Sequence, residues 1–486
     1  MEGGYTITTT LDPQVQDAAR AAVSRNVDPM TTGVAEVMNV VEPGTESRDI
    51  LAMTSSRNYG LNLDAGETVL PQPSSLVGNG AGSVFKVFTA AAAIEQGMGL
   101  ETVLDVPDRY EAEGLGTGGA RNCPPNTYCV ENAGNYKDQM TLREALAHSP
   151  NTTFIQLIEQ VGVPAVVDMS VKLGLRSYEV PGTFDGESSI AEYMKNANLG
   201  SYTLGPTAVN PLELSNVGAT LASGGRWCEP NPIVSVTDRE GQEIFLERPA
   251  CEQALDSGVA NALAGGMAED LITGTGARAA NVTGWGGQAA AKTGTTESHL
   301  SSAFLGFNSG FAAAPYIYND GTSSSPLCTS PVRQCGSGDL FGGREAAESW
   351  FQTANQVPAA LNGGLAGHDP KYDLGTTHGV LAEVVGMTEQ QARSTLEGQG
   401  YRVEVRTVDG TQPRGRVERA LNQGILEPGS TVIIELSRGV TQAPAPQPAP
   451  APRQPSQSPP PIPQIPDLTQ EDIDEMTNQL RDALGL

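Results

Sequence analysis

Residues 80–97, GAGSVFKVFTAAAAIEQG, place Ser83 and Lys86 three positions apart at the start of a predicted helix. Positions i and i+3 of a helix lie on one face about a turn apart, so the lysine amine can stand beside the serine hydroxyl. A neutral lysine can then take the hydroxyl proton and make the serine a nucleophile. The pair alone also fits a helix-start serine followed by a surface lysine. Only six lysines occur in 486 residues, however, so the position of each one is informative.

The second motif is Ser149-Pro150-Asn151, which interrupts two helical patterns. Pro150 would hold a short loop there, and this loop would point the Ser149 hydroxyl and the Asn151 amide into a cleft. The alternative is that Ser149 only caps the helix that begins at Asn151. The same spacing occurs at 24–26 and 56–58, so the motif gains its weight from its position in the chain.

The third motif is Lys292-Thr293-Gly294, within the β-like run QAAAKTGTT. A glycine in a strand lets a substrate backbone approach closely, as Gly294 would here. Lys292 with the hydroxyls of Thr293 and Thr295 offers a cation and two donors to a carboxylate. We therefore expect a substrate with a free C-terminal carboxylate. The alternative is an edge-strand lysine without a ligand.

Composition narrows the function further. The formal charge of −27 argues against nucleic-acid binding, which needs a basic surface. The sequence has no G-x-S-x-G elbow and no phosphate-binding G-x-x-x-x-G-K-[ST] loop. It also contains no signal peptide and no apolar run long enough to span a membrane. The opening residues lead us to expect that the native protein is longer at this end.

The six cysteines form three local pairs: Cys123 with Cys129, Cys228 with Cys251, and Cys328 with Cys335. None has C-x-x-C spacing and only four histidines are present, so we expect no metal site and no cofactor. An even number of paired cysteines favours disulfides in an oxidising compartment. The alternative is free buried thiols, which is most plausible for the middle pair.

The chain divides into four predicted segments. Residues 1–30 read as a linker and the start of a domain that covers 31–378, with a weakly periodic peripheral excursion at 309–378. Strand patterns flank a helical middle in this domain, which predicts an α+β fold with an antiparallel sheet packed by helices. A small module follows at 379–439. Residues 440–486 are proline-rich, so we expect a disordered tail, with one short amphipathic helix as the alternative.

The ordered set S-x-x-K, S-x-N and K-T-G is the active-site signature of penicillin-binding proteins and serine β-lactamases. From about residue 5 to 310 the chain resembles the transpeptidase domain of class A penicillin-binding proteins, in actinobacterial form. Four stretches besides the motifs carry this resemblance: TTTLDPQVQDAA, GSVFKVFTAAAAIEQG, MTLREALAHSPNTTFIQL and LGPTAVNPLELSNVGATLASGG. Ala291 departs from the family, in which glycine is common before K-T-G.

The resemblance implies a D,D-transpeptidase in which Ser83 attacks the penultimate D-Ala carbonyl of a stem peptide. An amine of a second stem peptide would then take the acyl group. Lys86 would be the acylation base, Ser149 would pass a proton to the leaving amine, and Asn151 would hold the acyl side chain. The N–H groups of Ser83 and Thr295 would form the oxyanion hole. β-Lactam antibiotics would acylate Ser83 because they mimic D-Ala-D-Ala.

Residues 381–438 resemble a PASTA domain, through VVGMTEQQARSTLEGQGYRVEV and ILEPGSTVIIELSRG. The resemblance implies a cell-wall glycan or muropeptide as a ligand of this module. It also implies action on the extracytoplasmic face of the membrane, with a membrane anchor and a glycosyltransferase domain that this chain lacks.

Three alternatives to the transpeptidase stay open from the sequence. A serine β-lactamase needs a carboxylate that activates water, and the sequence offers no clear candidate. A D,D-carboxypeptidase would use the same residues with water as the acceptor. A non-catalytic cell-wall binding protein would carry a degenerate site, which the intact motifs argue against.

Overall fold

The fold is described from a computed structural model, which covers residues 4–375, 384–422 and 429–439. The chain divides into two units, Met1–Val440 and Thr441–Leu486. The whole of the predicted tail at 440–486, which includes the second unit, lies outside the described residues.

The first unit contains thirteen α-helices among its described residues. They are α1 (Pro13–Asn26), α2 (Lys86–Glu95), α3 (Leu142–His148), α4 (Asn151–Val161), α5 (Val163–Leu173), α6 (Ile190–Asn196), α7 (Pro211–Ala222), α8 (Ser257–Met267), α9 (Ala277–Thr283), α10 (Glu345–Ala354), α11 (Pro358–Asn362), α12 (Lys371–Leu374) and α13 (Glu389–Gly398).

The strands of the same residues are β1 (Thr6–Thr9), β2 (Val34–Val41), β3 (Ile50–Ser55), β4 (Asn58–Tyr59), β5 (Glu67–Thr68), β6 (Val103–Asp105), β7 (Arg109–Glu113), β8 (Gly118–Gly119), β9 (Thr127–Glu131), β10 (Gln139–Thr141), β11 (Arg226–Trp227), β12 (Ile233–Thr237), β13 (Glu243–Ile244), β14 (Glu252–Gln253), β15 (Ala290–Thr295), β16 (Ser301–Asn308), β17 (Phe311–Ala313), β18 (Tyr316–Asn319), β19 (Leu327–Cys328), β20 (Arg333–Gln334), β21 (Arg402–Val408), β22 (Val417–Asn422) and β23 (Thr431–Ser437).

A six-stranded antiparallel sheet forms the centre of the first unit. Its strands follow the order β15-β16-β17-β2-β18, and β3 pairs with β2. Every residue of β2 and β16 is buried, because helices cover both faces of the sheet. Helices α7 and α8 pack on the face that carries α2, while α1 and α10 cover the opposite face. The predicted α+β class, an antiparallel sheet packed by helices, is confirmed.

Local sequence signals explain three of these elements. Strands β2 and β3 flank Pro43-Gly44 and pair from Val37 with Ser55 to Val41 with Ile50. Asp12 caps α1 by accepting hydrogen bonds from the N–H groups of Gln14 and Val15, and Pro13 occupies the first helical position, where proline is well tolerated.

The interpretation of 309–378 as a peripheral excursion is wrong for its first half. Strands β17 and β18 are inner members of the central sheet, and α10 packs against its back face. Trp350 of α10 is fully buried, donates to the Gly306 carbonyl at 2.9 Å and contacts Phe304 and Phe311 edge-on. A strand buried on both faces carries no polar alternation, so the period-2 signal was absent.

The N-terminal segment is also more than a linker. Helix α1 buries Val15, Ala19 and Val23 against the sheet and α10, so residues 13–26 are part of the domain core. The predicted domain start at 31 is therefore too late, whereas the boundaries at 378 and 439 stay predictions.

All three predicted disulfides are present: Cys123–Cys129, Cys228–Cys251 and Cys328–Cys335. The first joins the loop before β9 to β9 itself, and β9 pairs with β7 and β8. This small sheet leads directly into the residues that support the second motif.

The C-terminal module contains one helix, α13, and three strands in the order β21-β23-β22. Helix α13 begins with a capping box between Thr388 and Gln391, and Leu396 packs into the module's own core. Its assignment as a PASTA domain stays a prediction.

Within 4–375, 384–422 and 429–439, no single helix has the length and hydropathy to cross a membrane, although α4 and α5, bent by 98°, pass that test as a pair.

Candidate active site

Ser83 lies in a 3-10 turn, Gly82–Phe85, and α2 begins at Lys86. The expected α-helix therefore starts three residues later than the serine. Side chains three apart are eclipsed in a 3-10 turn, so this geometry brings Ser83 and Lys86 together more directly than an α-helix would. Ser83 is partly exposed, whereas Lys86 is fully buried.

The Lys86 amine joins the first motif to the second. Its Nζ lies 2.7 Å from the Ser149 carbonyl oxygen, 3.0 Å from Ser149 Oγ and 2.9 Å from Asn151 Oδ1. The carbonyl and amide oxygens can only accept hydrogen bonds, while a hydroxyl can also donate. An ammonium can donate to all three oxygens, whereas a neutral amine can donate to the two that only accept and receive a proton from the Ser149 hydroxyl. These partners fit a neutral Lys86 as well as a charged one.

Electrostatics favours the neutral form. Burial lowers the pKa of Lys86 well below its usual value, and the nearby charge of Lys292 lowers it further. Burial also lowers the pKa of Lys292, to about 8, but the carboxylate of Asp270 opposes this decrease. Lys86 is thus the easier of the two lysines to deprotonate.

The second motif forms a strained turn between two helices. Ser149 ends α3 with a φ of 63°, in the left-handed region that non-glycine residues rarely adopt. Pro150 then precedes α4, whose first residue is Asn151. Asn132 holds this turn because its Oδ1 accepts from Asn151 N at 2.8 Å and from Thr152 N at 3.1 Å. Ser149 is therefore not the cap of α4, contrary to the simpler alternative.

The third motif lies on β15, at the edge of the central sheet, beside the 3-10 turn. A Cβ on Gly294 would lie 1.9 Å from the Ala81 carbonyl oxygen, so only glycine permits this contact. A Cβ on Gly82, which has a φ of +58°, would lie within 2.6 Å of the backbone N, C and O of Thr295. The backbone of Ser83 consequently lies next to that of Thr295, the two positions expected to stabilise an oxyanion.

The threonine hydroxyls have partners that the sequence did not predict. Thr293 Oγ1 lies 2.5 Å from Thr275 Oγ1, and Thr295 Oγ1 accepts from Gly342 N at 3.1 Å. Lys292 is fully buried and donates to the Thr293 carbonyl at 3.0 Å.

Sequence reasoning missed Asn132, Thr275 and Asp270. Asn132 lies two residues before Gly134 and Thr275 lies in the T-G-T-G run at 273–276, so both read as ordinary turn residues. Asp270 follows a helical pattern as one of two adjacent acids, which indicates a solvated surface. None of the three has a local signal, because each gains its role from a contact distant in sequence.

The assembled site combines a serine, an adjacent buried base, a second hydroxyl and a cation at the edge of a strand. A nucleophile next to its base, with backbone N–H groups close by, can form and stabilise a covalent acyl intermediate. The lysine at the strand edge can bind an anionic group of the substrate.

Comparison with known proteins agrees with this chemistry. The chain is 30% identical over 321 residues to the peptidoglycan D,D-transpeptidase PbpA of Mycolicibacterium smegmatis, and the aligned region covers 60% of this chain and 61% of that protein. It is 30% identical over 242 residues to penicillin-binding protein 1A of Neisseria meningitidis, 49% of this chain and 27% of that protein. The chain thus spans less than two thirds of the length of these curated relatives.

Solved structures share the fold. The structure of PonA1 from Mycobacterium tuberculosis in complex with penicillin V superimposes with a TM-score of 0.57 at 21% identity, covering 76% of this chain and 88% of that one. Penicillin-binding protein A from the same organism, as a penicillin G acyl-enzyme complex, gives 0.55 at 23% identity, with 73% and 80% covered.

The family described as "Penicillin binding protein transpeptidase domain" matches residues 40–303, more than half of the chain, and this range contains all three motifs. The chain therefore belongs to the penicillin-binding protein transpeptidase family.

Proposed function

We propose that this protein is a serine D,D-transpeptidase that cross-links peptidoglycan stem peptides through an acyl-serine at Ser83. The observation that carries the proposal is the setting of Lys86, which directly follows the 3-10 turn that holds Ser83, is fully buried, and donates hydrogen bonds to Ser149 and Asn151. A base whose pKa is lowered by burial and by a second cation can remove the Ser83 proton near neutral pH.

In the acylation step, Ser83 Oγ attacks the carbonyl of the penultimate D-Ala while Lys86 takes its proton. The oxyanion then accepts hydrogen bonds from the N–H groups of Ser83 and Thr295. Ser149 passes the proton from Lys86 to the leaving amine, and terminal D-Ala departs as the acyl-serine forms. A second stem-peptide amine then attacks the ester carbonyl, the new amide bond forms as the bond to Ser83 Oγ breaks, and the proton that the amine loses returns to Ser83 Oγ through Lys86.

One assignment differs from the expectation. Asn151 uses its Oδ1 for Lys86, and its Nδ2 lies 3.3 Å from the Glu131 carbonyl, so its first role is to hold the base. The backbone N–H of Thr295 is proposed to serve the oxyanion, and its hydroxyl, which accepts from Gly342 N, keeps a proton that it can donate to the substrate carboxylate. Lys292 is proposed to bind the substrate carboxylate.

Mass spectrometry of the protein after incubation with penicillin G tests the proposal. We expect one penicilloyl adduct, on the peptide that contains Ser83, and no adduct in Ser83→Ala. An adduct on another peptide would overturn the site assignment. An adduct that hydrolyses within seconds would instead indicate a serine β-lactamase.

Donor peptides ending in D-Ala-D-Ala separate the two remaining enzymatic outcomes. Cross-linked product in the presence of an acceptor amine supports the transpeptidase. Release of D-Ala without any cross-linked product, whatever the amine, would indicate a D,D-carboxypeptidase. A protein that neither binds penicillin nor releases D-Ala would be a non-catalytic binding protein.

We further propose that the domain belongs to a bifunctional class A protein and that residues 381–438 form a PASTA domain. The support is the resemblance of both regions, the match to penicillin-binding protein 1A, and the helix-plus-three-strand module. Glycan polymerisation by the full-length gene product tests the first proposal. Cosedimentation with purified peptidoglycan, with and without residues 379–439, tests whether the module binds cell wall.

Action on the extracytoplasmic face follows from the proposed substrate. Three disulfides support this location, because such bonds persist in oxidising compartments. The membrane anchor stays a prediction.

A further inference from the structure

Asp270 is a fully buried acid behind the third motif. It lies on a 3-10 helix, Ala268–Leu271, that packs against α3 and β15. Its Oδ1 accepts from Thr275 N at 2.9 Å and from Thr275 Oγ1 at 2.7 Å. Its Oδ2 is buried without a hydrogen-bond partner in the described part of the chain. A buried, half-satisfied carboxylate is costly, so its retention calls for an explanation.

The hydrogen-bond chain from Asp270 reaches the third motif. A carboxylate can only accept, so the Thr275 hydroxyl gives its single proton to Asp270. Thr275 Oγ1 can then only accept from Thr293 Oγ1, which lies 2.5 Å away. The chain of donors runs from Thr293 through Thr275 to Asp270. The Thr293 hydroxyl therefore has no proton left for a substrate carboxylate, and Lys292 must supply the charge that binds it.

The charge of Asp270 also acts on Lys292. It opposes the decrease that burial causes in the pKa of Lys292. Burial raises the pKa of Asp270 above its usual value, and the charge of Lys292, followed by the hydrogen bonds from Thr275, limits that rise. A proton on Oδ2 would find no acceptor among its described neighbours, whereas an anion there is countered by the Lys292 ammonium.

Among the described residues, few other charges face Lys292 from the elements packed against β15. Lys86 approaches from α2. Strand β16, helix α8 and the turn Gly82–Phe85 carry no charged side chain. Glu269, the other acid of the 3-10 helix, accepts from Thr273 Oγ1 and lines a surface groove.

We propose that Asp270 is a positioning residue for acyl transfer: through Thr275 it sets the direction in which the Thr293 hydroxyl donates, and its charge keeps Lys292 in the ammonium form that binds the substrate carboxylate. The inference rests on the proposed function, because it concerns the same site. It adds a buried acid that none of the three motifs contains.

Asp270→Asn tests the charge alone. An asparagine can keep its oxygen toward Thr275 and so keep the hydrogen-bond chain, while the negative charge is lost. The rate of Ser83 acylation by penicillin declines on the alkaline side of its pH profile. We expect this decline to begin at a lower pH in Asp270→Asn than in the wild type. The acylation rate of the variant relative to the wild type should be roughly tenfold lower at about pH 8.5 than at about pH 6.5. This factor corresponds to a pKa shift of about one unit, the smallest shift expected from a nearby opposite charge.

Two variants serve as comparisons. Asp12→Asn makes the same change at the cap of α1, where Asp12 also accepts from two backbone N–H groups, and should leave the profile unchanged. Thr275→Val breaks the chain but keeps the charge. It should lower the acylation rate at every pH without moving the alkaline limb.

The outcomes separate the two proposals. An unchanged alkaline limb in a folded Asp270→Asn protein would overturn the role of the charge. A Thr275→Val protein that acylates at the wild-type rate would overturn the role of the chain, and this arm still decides if Asp270→Asn does not fold. Absence of a Ser83 adduct in the wild type would instead overturn the proposed function.

Discussion

At Gly82, one added methyl group should impair catalysis while the protein still folds. Its φ of +58° is strained for any other residue, and a Cβ there would lie 2.5 Å from the carbonyl carbon and oxygen of Thr295. Ordinary carbon contacts lie at about 3.5–4 Å, so Gly82→Ala must move the Ser83 turn away from β15 by roughly 1 Å. The displaced atoms are those proposed to stabilise the oxyanion.

The magnitude follows from two separate effects. Placing alanine in the left-handed region costs about 1–2 kcal/mol of stability. Loss of one oxyanion donor costs about 100- to 1,000-fold in rate, and a 1 Å misplacement of reacting groups costs about 100-fold. We therefore expect Gly82→Ala to lower the second-order rate of acylation by penicillin at least about 100-fold, while the protein still folds.

Gly284 provides the matched control. It has a φ of +68°, similar to that of Gly82, but a Cβ there would meet nothing within 4 Å. Gly284→Ala should therefore carry the same backbone strain without the clash, and its acylation rate should stay close to that of the wild type. Thermal unfolding of both variants, measured beside acylation by a fluorescent penicillin, separates strain from displacement. A folded Gly82→Ala protein that acylates as fast as Gly284→Ala would refute the reasoning.

Three further predictions follow from buried charges. The acylation rate should rise with pH as Lys86 loses its proton, and it should fall above about pH 8 as Lys292 loses its proton. Stopped-flow measurements that show the rate still rising well beyond pH 8 would contradict this assignment. Glu36 is buried on the back face of the central sheet. Burial, followed by the charge of a neighbouring glutamate, raises the pKa of Glu36 well above 4.5. The wild type should therefore lose stability as the pH rises from 4.5 through the folded-state pKa. Glu36→Gln lacks this titration, so its unfolding temperature should gain on that of the wild type across the same interval, and a constant difference would exclude the effect. Asp320 binds Arg57 through two hydrogen bonds of 2.8 and 2.9 Å, so Asp320→Asn should cost about 1.5–3 kcal/mol in urea unfolding, and a loss close to zero would show the pair to be dispensable.

The outline of the fold was predictable because its elements carry local signals. Asp12-Pro13 marks the start of α1, and the apolar-polar alternation around Pro43-Gly44 marks β2 and β3. The elements that escaped prediction are those whose environment is decided by the whole domain. Strands β17 and β18, within FAAAPYIYN, are buried on both faces and read as small and aromatic residues without a period.

The candidate site also contains some residues that local sequence signals identify and others whose roles depend on distant contacts. Ser83, Lys86 and Lys292 stand in motifs whose order and spacing along the chain are enough to indicate their chemistry. The roles of Thr293 and Asn151 were less accessible, because each depends on a hydrogen-bond partner far away in sequence. Thr293 Oγ1 contacts Thr275, and Asn151 Oδ1 accepts from Lys86. Spacing identifies which side chains are available, whereas contacts decide how each one is used.

The two buried lysines illustrate why contacts decide. Both lose hydration equally, with no exposed surface, so burial alone would push them toward the same neutral state. Asp270 breaks this equivalence because its charge acts on Lys292, while the described hydrogen bonds of Lys86 go to neutral oxygens and the charge of Lys292 lowers its pKa further. One lysine can then be neutral while the other is charged at the same pH. Paired groups whose pKa values are separated in this way can divide base and anion-binding roles, and the acid that separates them lies outside all three motifs.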